Sequence, residues 1–347
     1  MAGNLYVHFP FCRRKCSYCA LHSRAGVSAS AREAHVARLV RQVAALGAFD
    51  TVYFGGGSPA LCDLRPLLDA LGPHLAPTCE FTVELHPLDV TDGLLATLKA
   101  GGVNRVSMGV QSLDDATLAA MGRGYVADEA ARAFARARRV FDNAGVDFIV
   151  GYPNDPCVGW SRLADWGLRH CSVYSLQVEE KTLLARRVAR GQAPLRSDDW
   201  TMDRLRTVAE TLRDLGLVRY EISNYAQPGF SCRHNRAVWR GEDYVGLGEG
   251  ASGRLGRTRT FVPPGAEEPE VTTLTPTEDL RERTLFHLRT DEGLDLSRLD
   301  EWSSDPAGAR RALKRDEAAG LLSVDGQTCR LTARGAEVCD AILADIL

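Results

Sequence analysis

The stretch LYVHFPFCRRKCSYCALHS, Leu5–Ser23, decides how the rest of the chain is read. It opens on a strand-like run, Leu5–Phe9, and then sets Cys12, Cys16 and Cys19 in the spacing C-x3-C-x2-C. The next cysteine is Cys62. A structural zinc site takes four ligands, usually as two pairs. Here His8 or His22 would have to supply the fourth, and no second C-x2-C exists. A disulfide would leave one thiol over. Three thiolates with an open fourth position suit a [4Fe–4S] cluster whose remaining iron is free to bind something else. The loop follows the first strand, and in a β/α barrel the loops after strands form the active face.

Outward from that loop, short β-rich runs alternate with helical spacing. Strands are expected at TVYF (51–54), EFTVEL (80–85), RVSMGV (105–110), VDFIV (146–150) and CSVYSLQV (171–178), with RYEIS (219–223) beyond them. Helices are expected at Ala29–Leu46, Leu64–Leu75, Asp92–Ala100, Asp114–Met121, Ala127–Ala144, Ser161–Arg169 and Asp198–Leu215. Such alternation predicts a parallel sheet with crossover helices. Six repeats give an α/β fold, an incomplete (β/α)6-type barrel over residues 1–226. A doubly wound open sheet is the competing topology.

Residues 227–276, with GLGEGASG and VPPGAEEPE, read as a functional loop region and linker. From 277 to 347, helical patterns precede a hairpin signal at VDGQT and a last helix, Ala333–Leu347. This predicts a small C-terminal helical, winged-helix-like domain. Its Arg310, Arg311, Lys314 and Arg315 raise a nucleic-acid-binding alternative, but Asp316 and Glu317 follow at once. The net charge of -3 makes no global case for nucleic acid, so none is expected as a partner. The arginines of ARAFARARRV read as a solvated helix face. No apolar run has transmembrane length, and the N-terminus lacks a signal-peptide pattern. Ten cysteines without a regular framework read as thiols of a cytoplasmic protein.

Further polar and glycine motifs fall at the expected strand ends. FGGGSP (54–59) holds Gly56, Gly57 and Ser58, where glycines let backbone N–H groups approach a ligand or simply make a tight turn. VELHP holds Glu84, GVQS holds Gln111 and Ser112, MGRGY holds Arg123, and Asp147 lies in the fifth strand. Glu84 read alone is equally a helix N-cap or an exposed charge.

HFPFCRRKCSYC resembles the signature of radical S-adenosylmethionine (SAM) proteins. More narrowly it resembles the family of oxygen-independent coproporphyrinogen oxidase and its HemW-type heme-chaperone relatives. RYEISNYAQPG, CRHNRAVWRGEDYVGLGEGASG and the C-terminal segment resemble that family's blocks, so the likeness spans nearly the whole chain. It implies that Cys12, Cys16 and Cys19 hold the cluster. It also implies that Tyr6, Gly56, Gly57, Ser58, Glu84, Gln111, Arg123 and Asp147 line the SAM pocket. Two features favour the chaperone branch over the oxidase: Leu21 stands where the oxidase has a further cysteine, and Cys12 lies close to the first residue. His234, in HN-x3-W with Asn235 and Trp239, is the heme-ligand candidate, and Cys232 a second possible iron ligand. Val238 replaces the family's tyrosine, Ser252 its histidine in GAHS, and Tyr125 its histidine in GRxH. The implied role is heme delivery to an acceptor protein, with a reductase or flavodoxin-type electron donor. The alternative is a radical SAM enzyme, either the oxidase itself or a tailoring methyltransferase that binds two SAM molecules.

Overall fold

In the computed structural model, residues 3–346 are described. Six parallel strands form its centre: β1 (Asn4–Phe9), β2 (Phe49–Gly56), β3 (Leu75–Leu85), β4 (Arg105–Gln111), β5 (Asn143–Val150) and β6 (His170–Ser175). They pair in chain order. Helices α1 (Ala29–Val43), α2 (Arg65–Leu71), α3 (Asp92–Ala100), α4 (Asp115–Met121) and α5 (Ala127–Arg138) supply the crossovers. After β6 come α6 (Leu183–Ala189) and α7 (Asp198–Asp214).

Alternation along each strand sorts the side chains. Leu5, Val7, Phe9, Val52, Phe54, Phe81, Val83, Val106, Met108, Val146 and Phe148 are fully or almost fully buried in one core with residues of the helices. The other face carries Asn4, Tyr6 and His8 on β1, Thr51 and Tyr53 on β2, Glu80, Thr82 and Glu84 on β3, Arg105 and Ser107 on β4, and Asp147 on β5. The lumen is therefore polar, and the apolar packing lies between sheet and helices. A closed β/α barrel fills its interior with branched apolar side chains; here the inward positions are polar instead.

Beyond β6 the sheet continues antiparallel through β8 (Asn224–Ala226) to β7 (Val218–Arg219), so that of the RYEIS segment only Arg219 lies in a strand. The segment read as loop and linker is corrected by the structure. Residues 227–276 carry α8 (Arg233–Trp239) and four strands, β9 (Tyr244–Leu247), β10 (Ser252–Leu255), β11 (Thr258–Phe261) and β12 (Glu270–Thr273). β9 pairs in parallel with β1, and the others follow antiparallel, completing a 12-stranded open sheet. Two helix readings also change. The helix from Ala127 ends at Arg138, because Asn143 onward pairs with β4. Ser161–Arg169 is instead a 3-10 segment, Trp160–Trp166, bounded by Gly159 and Gly167 in the left-handed region.

The C-terminal unit packs α9 (Pro276–Leu288), α10 (Leu299–Trp302), α11 (Pro306–Ala318), α12 (Ala333–Glu337) and α13 (Cys339–Ile346). They surround a three-stranded sheet of β13 (Leu294–Asp295), β14 (Leu322–Asp325) and β15 (Thr328–Leu331). The expected hairpin is β14–β15. Leu347 of the expected last helix lies outside the described residues. Three of the four cations of the basic run on α11 have carboxylate partners: Arg310 pairs with Asp300, Arg311 with Asp305, and Arg315 with Asp316 and Asp345. No described helix is long and apolar enough to cross a membrane.

Candidate functional site

The site lies at the carboxyl ends of β1–β5. The cysteine loop leaves β1, and the turn after β2 packs under it. Gly57 N donates to Phe9 O at 2.8 Å and Ser58 N to Phe11 O at 2.7 Å. A Cβ on Gly57 would sit 2.3 Å from Phe11 O, so only glycine permits this backbone-to-backbone approach. Ser58 Oγ donates to buried Asp89, which also receives Nε of Arg13 from the loop. Asp89 thus ties the cysteine loop to two strand ends. It has no sequence signature, and the motif reading missed it.

Cys12, Cys16 and Cys19 are partly exposed free thiols. Burial pushes the thiols of Cys12 and Cys19 above their ordinary pKa. Among the described residues, no three His, Cys, Asp or Glu are arranged to hold a single metal ion. A cluster asks for something else, since each thiolate then binds its own iron. Arg123, only 9% exposed, donates from Nη1 to Cys16 Sγ at 3.2 Å, from Nη2 to Gly109 O at 2.6 Å and from Nε to Tyr125 Oη at 2.9 Å. Tyr125, the residue that departs from the family's histidine, in turn donates to the carbonyls of Gly109 and Val110. Ser17 anchors the loop from beneath. Its N donates to Met121 O at 3.0 Å, and its hydroxyl meets Tyr152 Oη at 2.8 Å.

Across the lumen, Glu84 accepts from Tyr53 Oη at 2.9 Å and from Gly56 N at 3.2 Å. Burial and the nearby Asp147 carboxylate raise its pKa to about 7. Asp147 accepts from Ser107 Oγ at 3.0 Å and is also raised by burial. Neither carboxylate forms an ion pair among the described residues. Two such groups suit a cationic ligand. Tyr6 Oη meets His8 Nδ1 at 3.0 Å beside them. Gln111, at φ 75, follows an irregularity in the β4–β5 pairing and stands near Arg123 and Gly109.

His234 is not brought to this end. It sits on α8 against the amino ends of β2 and β3, 4% exposed. Thr51 Oγ1 meets its Nδ1 at 2.8 Å, and Tyr53 lies with its ring centre 5.3 Å away. Burial lowers its pKa to about 3. Cys232 is sealed beside it, with Sγ 3.5 Å from Glu80 Oε1 and a thiol pushed up to about 12. Trp239 packs edge-on against Phe286 of the C-terminal unit. As packed, this region does not admit a heme to either His234 or Cys232.

With that geometry in place, comparison with known proteins is direct. The radical SAM superfamily pattern matches residues 6–157, and the HemN C-terminal domain pattern matches residues 274–338. The mouse protein named radical S-adenosyl methionine domain-containing protein 1, mitochondrial, is 32% identical, covering 99% of this chain and 87% of its own. The heme chaperone HemW of Mycobacterium tuberculosis is 34% identical, covering 99% of this chain and 94% of its own. The solved structure of Escherichia coli coproporphyrinogen III oxidase (HemN) superposes with a TM-score of 0.83 at 20% identity, covering 99% of this chain and 90% of that one. The chain belongs to the radical SAM superfamily and, within it, to the family of HemN-type oxidases and HemW-type heme chaperones. A [4Fe–4S] cluster and SAM are the cofactors of that superfamily.

Proposed function

We propose that this chain is a HemW-type heme chaperone that holds its cluster on Cys12, Cys16 and Cys19 and carries heme to an acceptor protein. The observation that carries the reading is the occurrence of three free thiols at one strand end together with two half-buried lumen carboxylates, Glu84 and Asp147, neither of which forms an ion pair among the described residues. The donor set fits the cluster, and the carboxylates fit the sulfonium and ammonium charges of SAM. When bound, the pair supplies one-electron cleavage of SAM and a 5′-deoxyadenosyl radical.

The chain's own residues do the holding. Gly56, Gly57 and Ser58 bring backbone close under the loop. Glu84 and Asp147 meet positive charge, with Tyr6 and Gln111 completing the wall. Arg123 donates to the Cys16 sulfur and orders the loop. Ten free thiols fit a reducing, cytoplasmic setting.

The heme role rests on likeness to proteins named heme chaperones, because α8 closes over His234. A heme titration of the reconstituted protein, read at the Soret band, tests it. Stoichiometric binding that is lost in His234→Ala supports the chaperone with α8 opening to admit the ligand. Binding retained in that variant moves the heme site elsewhere on the chain. No binding, with an intact cluster and SAM cleavage, removes the chaperone reading and leaves a radical SAM enzyme.

A further inference from the structure

Helix α6 was not anticipated from the sequence, and the fold seats it directly on the cysteine loop. Leu184 N donates to Ser17 O at 2.7 Å, and the fully buried Leu184 side chain packs with Met121, Tyr152 and Tyr18. Thr182 caps the helix through Ala185 N at 3.1 Å. One face is thus spent on the loop that carries the cysteines.

The opposite side is cationic. Arg14 and Lys15 on the loop and Lys181, Arg186 and Arg190 on and beside α6 are exposed, and Arg187 is half-buried. Among the described residues, none of these six forms an ion pair. Elsewhere, Arg136 and Arg138 of α5 and Arg310, Arg311 and Arg315 of α11 have carboxylate partners, while Arg132 and Lys314 form no ion pair among the described residues. Within the segments 12–23 and 179–190 the acids are Glu179 and Glu180, both exposed, and Asp89 is already held by Arg13 and Ser58. The local sign therefore opposes the net charge of -3 of the chain. Leu21 and Leu183 are 56% and 42% exposed amid these cations. Apolar residues within a polar rim are the makeup of a protein interface.

We propose that the cysteine loop and α6 form the docking surface for an acidic one-electron donor protein. The proposal rests on the reading that the three cysteines hold a cluster. Electron transfer weakens steeply with distance, so a donor must approach the loop that covers the cluster, and α6 flanks that approach. Cations there that no carboxylate neutralises steer an acidic partner and hold its orientation. With a flavodoxin as donor, the anionic flavin hydroquinone gives up one electron and becomes the neutral semiquinone. The cluster core goes from 2+ to 1+, and no proton moves.

The test compares wild type with Arg186→Glu/Arg187→Glu/Arg190→Glu, using a purified acidic flavodoxin as probe. Binding is measured on the cluster-free chain at low and high salt. The expected result is salt-sensitive binding that the triple variant weakens by about tenfold or more. In the reconstituted proteins, reduction by flavodoxin hydroquinone slows to match, while dithionite reduces both equally. Unchanged flavodoxin affinity in the triple variant overturns the proposal. So does loss of binding to phosphatidylglycerol vesicles with flavodoxin binding intact, which would assign the surface to a membrane. The triple Arg→Gln variant, with circular dichroism, separates misfolding from lost charge. A failure to assemble any cluster would overturn the cofactor assignment instead, and the binding arm would still decide the docking surface.

Discussion

Arg123 and Cys16 are 107 residues apart in the chain, and the guanidinium of one donates to the sulfur of the other at 3.2 Å. The same side chain donates to the Gly109 carbonyl and the Tyr125 hydroxyl, so it is held from three sides. A fixed positive donor on a thiolate stabilises the more reduced, more negative state of a cluster.

Replacing Arg123 with Gln removes that charge. The cluster midpoint, read by electron paramagnetic resonance during a redox titration, is expected to move to more negative potential. The fold loses about 2 kcal/mol from the abandoned Gly109 and Tyr125 partners, measurable by urea denaturation of the cluster-free chain. An unmoved midpoint would sink the electrostatic role.

Alanine at any one of Cys12, Cys16 or Cys19 is expected to abolish the iron–sulfur absorbance after anaerobic reconstitution. The far-ultraviolet circular dichroism should stay as in wild type, since none of the three is buried in the core. Full-strength cluster absorbance in Cys16→Ala would refute the ligand assignment.

Glu84 makes stability depend on pH with a defined sign. Its folded pKa of about 7 lies above the ordinary 4.5. The folded chain therefore binds more protons than the unfolded one between those values, and stability falls as pH rises through that window. Above it the penalty reaches roughly 3 kcal/mol at most. Glu84→Gln should stabilise the ligand-free protein at pH 8, flatten its pH dependence and weaken SAM binding. Melting curves from pH 4.5 to 8 with and without SAM measure all three.

Asp89 holds Ser58 and Arg13 together under the loop. Asp89→Ala strands the buried Ser58 hydroxyl and frees Arg13, at a cost of about 2 kcal/mol. Hydrogen exchange of residues 10–20 should speed up while the β3 and β4 strands stay protected. Equal protection in both proteins would show that the tie is idle.

Much of this was legible in the chain because TVYF, EFTVEL, RVSMGV and VDFIV are short runs rich in Val, Phe and other strand formers. The cysteine spacing and FGGGSP are likewise local patterns. Asp89 and Tyr152 were not legible as site residues, because each acts on a loop far away in sequence, and Ser17 was not because its partners lie beyond residue 119. Residues 227–276 read as loop because GLGEGASG has no strand propensity. There the free edge of β1 decides, offering its backbone to Tyr244–Leu247 whatever their side chains prefer. The helix from Ala127 overran for a related reason: apolar spacing persists to Ala144, but pairing with β4 takes those residues into the sheet.

That edge pairing also sets a timetable. Asn4 reaches the Asp243 carbonyl across 239 residues, and β1 has β9 as its second neighbour. Behind β9, Glu249 meets His22 and Arg24 at the far end of the cysteine loop. When the first 240 residues have been made, the three cysteines therefore follow a strand flanked on one side only. Contacts of such separation form late. The loop gains this last support only once residue 249 has been made, after all six parallel strands already exist.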